Sequence, residues 1–568
     1  VTNGVPFVYS DGYYYYHTAR SIVDHGTFAS SEKPEYFDYR GHAIIYYNGK
    51  YGEVTTPGGA LFLTPGLFIS KLFRDPSQTI YNDYFLAFNG HTLLDGIMIL
   101  LTAMICAVVS WVLMYRVLRK LKFSPRLSVF AVATTYASSY AVWYVFLSPA
   151  FTHTYELFCM SLVVWGMLNY LGKKRTKYLA ALALGLGMLV LLRPIFAVVA
   201  VFIAIWLATE KDWRGIIKLA LMGLPFLAIW LIYNYVSYGS LLTSGYTEVR
   251  GELFTSNFNA HNVLLSPQRG WFVYSPVFAL AAAGLVLMYR KYRRLALFSL
   301  ATISSIVIIY GFWPAWWGGG TFGQRFLILL VPLGAIGLAY LITTMKKRKL
   351  YKPLLVVIML CVFWSLGITL MYRFTPVGQL RPASDSVGNM SAADRYTPID
   401  MISYQLNLIK DAQGISDYVQ HLYKSASGGT SLIAILLGIP DAVLRIDERE
   451  AGKLQLVLVA PPIVSQPLPD AIDFYLVNAD QSVEQGHIDF IDGKTKYVLN
   501  CVQTCQPADP EVTLVRAVDY PKYLPREEYE AIDPDRYEFN LFFARPQNMQ
   551  VAGPPINLSA TDNYFVLP

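Results

Sequence analysis

Asp11 heads the residues of this chain whose types and placement suit chemistry. It sits in Ser10-Asp11-Gly12, just ahead of four consecutive tyrosines, Tyr13, Tyr14, Tyr15 and Tyr16, and the helical-looking run Ala19-Arg20-Ser21-Ile22-Val23. A long series of apolar spans follows. A loop in that position lies at a membrane–water boundary, where a carboxylate can reach both a lipid-borne headgroup and a water-soluble partner. Such a group suits proton abstraction from a hydroxyl, a poor nucleophile that needs a positioned base as it attacks. The plain alternative is a helix N-cap, because Ser-Asp before a helical run is a capping signal.

Three arginines are placed to meet developing negative charge: Arg193, Arg269 and Arg325. Fixed cations of this kind stabilise a leaving anion such as a phosphate. Arg193 falls where two apolar segments meet, a costly depth for an unpartnered charge. Arg269 and Arg325 fall in Gly- and Trp-rich loops, Ser266–Pro276 and Trp313–Arg325, where backbone can approach a ligand closely. Each has a structural alternative as an interfacial anchor or ion-pair partner. Tyr13, Tyr14, Tyr246, Trp271, Trp316 and Trp317 offer ring faces and hydroxyls to a sugar, against the alternative of the interfacial aromatic belt. Glu156, with His153 and Tyr155, opens the span at 153–172 and is an intramembrane carboxylate able to partner Arg193 or bind a substrate. Asp83, His91 and Asp95 lie near the start of the first span. Asp11 with Glu156 or Asp83 would suit a hard divalent cation, but no ligand spacing demonstrates one and the expectation is no metal and no cofactor. There is no Walker P-loop, Cys-x-x-Cys, His-Glu-x-x-His or Gly-x-Ser-x-Gly.

The elements that must position these residues follow from composition. Hydrophobic residues make up 54% of the chain and charged residues only 15%, well under the roughly 25% of a soluble domain, and mean hydropathy is +0.37. The long apolar runs approach or pass the roughly 20 residues of a helical crossing. The expected fold class is a polytopic α-helical membrane protein with a C-terminal β-rich extracytoplasmic domain. Crossings are expected near 84–115, 127–147, 153–172, 178–192, 195–208, 218–235, 272–289, 296–312, 326–344 and 353–372. Basic clusters at Arg116–Arg126, Lys173–Lys177, Arg290–Arg294 and Lys346–Lys349 each follow an inward crossing, as the positive-inside rule requires. Merging the short pair around Arg193-Pro194 would break that alternation, so two spans are kept. Both chain ends then lie outside a cell membrane crossed many times. The net charge of +7 follows largely from these loops, and no nucleic-acid partner is implied.

Three regions result: 1–83, an extracytoplasmic first loop with juxtamembrane helices; 84–372, the multi-span domain; and 373–568, a soluble tail with strand-like runs. Because the first loop is already outside, a further crossing upstream of Val1 is expected. Ser431–Ile439 is apolar but too short to span. Cys501 and Cys505 are either a disulfide or two thiols, and Cys106, Cys159 and Cys361 read as packing residues.

Taken in order, the acidic residue of the first loop, "NGKYGEVTTPGGALFLTP", "LRP", "YNYVSYGSLLTSGY", "SPQRGWFVYSP" and "WPAWWGGGTFGQRF" resemble the GT-C superfamily of integral membrane glycosyltransferases. The resemblance is to its bacterial and archaeal members related to protein mannosyltransferases and lipid A aminoarabinose transferases, and it covers roughly residues 8–372. It implies a GT-C-like helical bundle that moves a sugar from a polyprenyl-phosphate donor to a hydroxyl of a lipid, glycan or protein acceptor at the outer face, with inversion. Asp11 matches the family's catalytic carboxylate, which the resemblance implies to be the general base, although Gly12 leaves it no acidic neighbour of the kind some relatives have. A transporter or flippase of lipid-linked intermediates is the main competing reading, yet the candidate residues crowd the outer loops rather than mid-membrane broken helices, and no repeat is present. A non-catalytic scaffold with a binding tail would keep the same motifs; turnover of a defined lipid-linked sugar separates it from an enzyme.

Overall fold

The computed structural model describes residues 8, 11–30, 44–47, 50–74, 79–82, 87–242, 245, 254–319, 322–374 and 396–410, together with strands between 443 and 558. Helix α1 (Asp11–His25) is followed by a short hairpin of β1 (Ile44–Tyr47) and β2 (Lys50–Glu53), then by α2 (Pro57–Phe73) and a second strand pair, β3 (Thr79–Asn82) with β4 (Ala87–Thr92). The first long apolar helix, α3 (Leu93–Lys120), starts later than the expected 84, because β4 occupies residues up to Thr92. Its start is fixed chemically. The Thr92 side chain accepts from the Asp95 backbone N–H while Asp95 accepts from that of Thr92, a reciprocal capping box.

The expected span 127–147 is broken into α4 (Pro125–Ala137) and α5 (Ala141–Phe146). Helix α6 (His153–Lys173) then leads to α7 (Thr176–Leu192). Arg193 is extended, with φ −154° and ψ 117°, as steric conflict with Pro194 dictates for the preceding residue. A 3-10 turn at Pro194–Phe196 enters α8 (Ala197–Thr209), so the two short helices around Arg193 are distinct. They are followed by α9 (Trp213–Tyr238), α10 (Ala260–Leu265), α11 (Trp271–Tyr274), α12 (Val277–Met288), α13 (Arg293–Gly311), a 3-10 segment at Arg325–Leu330 running into α14 (Val331–Lys347), α15 (Tyr351–Phe374) and α16 (Pro398–Lys410).

The described residues are predominantly helical, and among them five helices are long and apolar enough to cross a membrane: Leu94–Lys120, Trp213–Tyr238, Arg293–Gly311, Arg325–Lys347 and Tyr351–Tyr372. Of the most apolar 18-residue stretch, 89% is buried in Arg325–Lys347, which runs through the core, against 6% in α9, which lies at the periphery. Helices α12 and α14 meet backbone to backbone: a Cβ on Gly284 would lie 1.9 Å from the Gly337 carbonyl oxygen, the close approach that small residues permit between apolar helices. One end of the bundle gathers the basic helix termini through Lys174–Asp212, Lys120–Asn169 and Arg294–Glu210 contacts. The opposite end carries α1 and the first turn of α6. Farther along, eight strands from β5 (Val443–Glu450) to β12 (Ile556–Leu558) pair in one sheet with order β12-β11-β7-β8-β9-β10-β6-β5.

Candidate functional site

Helix α1 is fixed on the bundle by three faces. Its lower face carries Tyr16, Arg20 and Asp24. The fully buried Asp95 carboxylate accepts from the Tyr16 hydroxyl (2.8 Å), the Ser70 hydroxyl (2.6 Å) and Arg20 Nη1 (3.2 Å), joining α1, α2 and α3. Arg20 and Arg74 then meet Asp24 at 2.8 and 3.1 Å. Burial raises the Asp24 pKa, but the Arg20 and Arg74 guanidinium groups outweigh it and hold the carboxyl below its ordinary value. A second face stacks Tyr13 on His17, whose Nδ1 lies 2.5 Å from the buried Glu53 carboxylate of β2.

The third face presents Asp11, in the first turn of the helix. Gly12 brings this turn against the Ser148–Thr152 turn: a Cβ there would lie 2.9 Å from the Ala150 Cβ. Asp11 Oδ2 is 2.9 Å from Arg325 Nη1. Arg325 is held in a shell of rings and loop backbone, its guanidinium 5.4 Å from the centroids of both Phe151 and Phe326. The loop around it is Gly-rich because its backbone demands it. Gly318, Gly319 and Gly323 all have positive φ, and a Cβ on Gly323 would sit 2.1 Å from the Tyr140 ring. Gln324 closes this loop by donating to the Trp316 carbonyl at 2.8 Å.

Arg193 shares the Phe326 ring, 5.1 Å from its centroid, and its Nε donates to Glu156 Oε1 at 2.8 Å. Glu156 is fully buried and accepts also from the Thr152 hydroxyl at 2.7 Å, while His153 Nδ1 lies 3.2 Å from Oε2. The extended Arg193 is held in register by Thr56, whose hydroxyl donates to the Leu192 carbonyl at 2.6 Å. The start of α2 lies directly on this junction: a Cβ on Gly58 would fall 2.4 Å from the Leu192 nitrogen.

The structure therefore brings Asp11, Arg325, Arg193 and Glu156 into one cluster. Arg269 lies in another, fully buried with its guanidinium 4.3 Å from the Tyr396 ring and beside Tyr140 and Tyr274. Tyr13 is buried and Tyr14 half-buried on α1. Trp271, Trp316 and Trp317 are buried rather than displayed as open ring faces; Trp271 stacks 4.8 Å from Phe278. Tyr246, Asp83, Ser431–Ile439 and Cys505 lie outside the described residues. Cys106, Cys159 and Cys361 are free thiols in helices, as packing residues would be. Among the described residues no three His, Cys, Asp or Glu groups converge to hold a metal ion. Thr152 lies in none of the motifs, and Phe326 closes the run WPAWWGGGTFGQRF with nothing in its type to mark it as the ring shared by two arginines. No protein-family model matches the chain, and no curated protein matches it.

Proposed function

We propose that the chain is a GT-C-type glycosyltransferase that moves a sugar from a polyprenyl phosphate to an acceptor hydroxyl at the outer face of the cell membrane, with inversion. The observation that carries this reading is the direct pairing of Asp11 with Arg325, beside the Arg193–Glu156 pair on the same phenylalanine ring. Arg325 and Arg193 take the donor phosphate. Asp11 accepts the proton of the acceptor hydroxyl as its oxygen bonds to the anomeric carbon. The bond from that carbon to the phosphate oxygen breaks on the opposite face, and its electron pair leaves with the polyprenyl phosphate. Arg325 has a double part here: an incoming phosphate competes with Asp11 for it, which raises the basicity of the carboxylate as the donor seats. Residues 373–568 complete the reading as a β-rich extracytoplasmic domain over the acceptor side.

The test is turnover. The full chain in nanodiscs, given a polyprenyl-phosphate hexose labelled in the sugar and a mixed hydroxyl acceptor pool, should release polyprenyl phosphate and label the acceptor. Movement of intact donor across liposomes without cleavage would place the chain among transporters instead.

A further inference from the structure

His153 is the residue of the cluster with unspent capacity. It is fully buried, and its Nε2 has no hydrogen-bond partner among the described residues. The ring is set edge-on to Tyr144 at 4.7 Å and lies 6.2 Å from Phe151 and 6.5 Å from Phe326, the two rings that also carry Arg325. Its other nitrogen faces Glu156, a carboxylate that already accepts from Arg193 and Thr152. A carboxylate so placed fixes the imidazole with its proton on Nδ1. Nε2 is then a bare lone pair, and a neutral imidazole in that tautomer can only accept there.

A buried acceptor must be met by a donor. A phosphate presents acceptors and belongs on Arg325 and Arg193. An ammonium is repelled by those same cations. A hydroxyl remains. We infer that His153 Nε2 accepts a hydrogen bond from a hydroxyl of the transferred sugar, making His153 a residue that reads the donor sugar while the arginines hold its phosphate. This inference rests on the glycosyltransferase reading above.

The test separates the two. Binding of decaprenyl phosphate, and of decaprenyl phosphates carrying mannose, glucose or galactose, is measured on the full chain in nanodiscs for wild type, His153→Ala, His153→Gln and Arg325→Ala. In wild type at least one sugar should add affinity over the bare lipid phosphate. His153→Ala should weaken that increment by about tenfold, the scale of one hydrogen bond, and leave the bare lipid phosphate bound as before, which also shows that the variant is folded. His153→Gln, with an amide oxygen near the Nε2 position, should recover part of it. A deoxy series of the preferred sugar should cost wild type about tenfold at one ring position and cost His153→Ala nothing there. An unchanged sugar increment in His153→Ala overturns the inference, as does a wild type that binds bare lipid phosphate and gains nothing from any sugar; in both cases the donor-phosphate reading stands. If no probe binds wild type better than Arg325→Ala, the glycosyltransferase reading falls and the inference with it.

Discussion

Asp11 and Arg325 come from opposite ends of the helical region and meet at 2.9 Å. Their burial differs as the proposed roles require: the Asp11 side chain is 27% exposed, open to an arriving acceptor, whereas Arg325 is 10% exposed and walled by rings. Arg325→Lys should therefore bind a lipid-linked donor far less well than wild type, since an ammonium lacks the planar fork that can face phosphate and stack on Phe151 and Phe326 together. Donor titration by a fluorescent polyprenyl phosphate measures this, and equal affinities would move the phosphate site elsewhere. Glu156 carries a different burden. Glu156→Ala removes the carboxylate between Arg193 and His153 and should cost roughly 3–5 kcal/mol, as for one partner of a buried ion pair. Thermal unfolding in detergent should show a large fall, while Arg193→Met with Glu156→Met together should recover much of it. Similar losses in single and double variants would rule out the pair as the cause.

At the scale of elements, much of the framework was legible because its signals are local. Arg193-Pro194 forces extended backbone and so two short helices. The basic clusters fall at helix termini for the same local reason. Hydropathy starts the first span at 84 because Tyr84–Phe88 is apolar, whereas the Thr92/Asp95 capping box starts α3 at Leu93. In the sequence Asp95 is one acidic residue near the first span, yet in the fold it ties three helices through Tyr16, Ser70 and Arg20. No spacing in the chain announces such long-range pairing. The aromatic residues were the hardest to read: Trp271 and Trp316 have the composition of a sugar platform and the burial of core side chains.

Two predictions belong to elements. Asp24 anchors the end of α1, and its carboxyl pKa is lower in the folded protein than unfolded. Its contribution is therefore complete above the unfolded value of about 3.9 and is lost as pH falls through the folded value. Wild type should be more stable than Asp24→Asn at neutral pH and the two should converge in acid; a gap that persists in acid would assign the effect to something other than ionisation. Gly323→Ala should cost about 1–2 kcal/mol from positive φ, with roughly 1–3 more from overlap with Tyr140. Limited proteolysis at the Gly318–Gly323 loop should rise sharply, and an unchanged pattern would show that the loop does not need this glycine.

For the whole molecule, the proposed function requires the Asp11 end of the bundle and residues 373–568 to share the outer side of the membrane. A cysteine introduced at Ser465 should react with an impermeant thiol reagent in intact cells, and reaction only after the membrane is opened would put the tail inside. In the proposed function, Asp11 takes the acceptor's proton during sugar transfer. Asp11→Asn keeps the size and helix-start chemistry of the side chain but provides no competent base. The decisive measurement is therefore sugar transfer by wild type and Asp11→Asn, with donor binding measured alongside on the same samples. Asp11→Asn should still bind the polyprenyl-phosphate donor and transfer no sugar. Transfer by Asp11→Asn at close to the wild-type rate would contradict it.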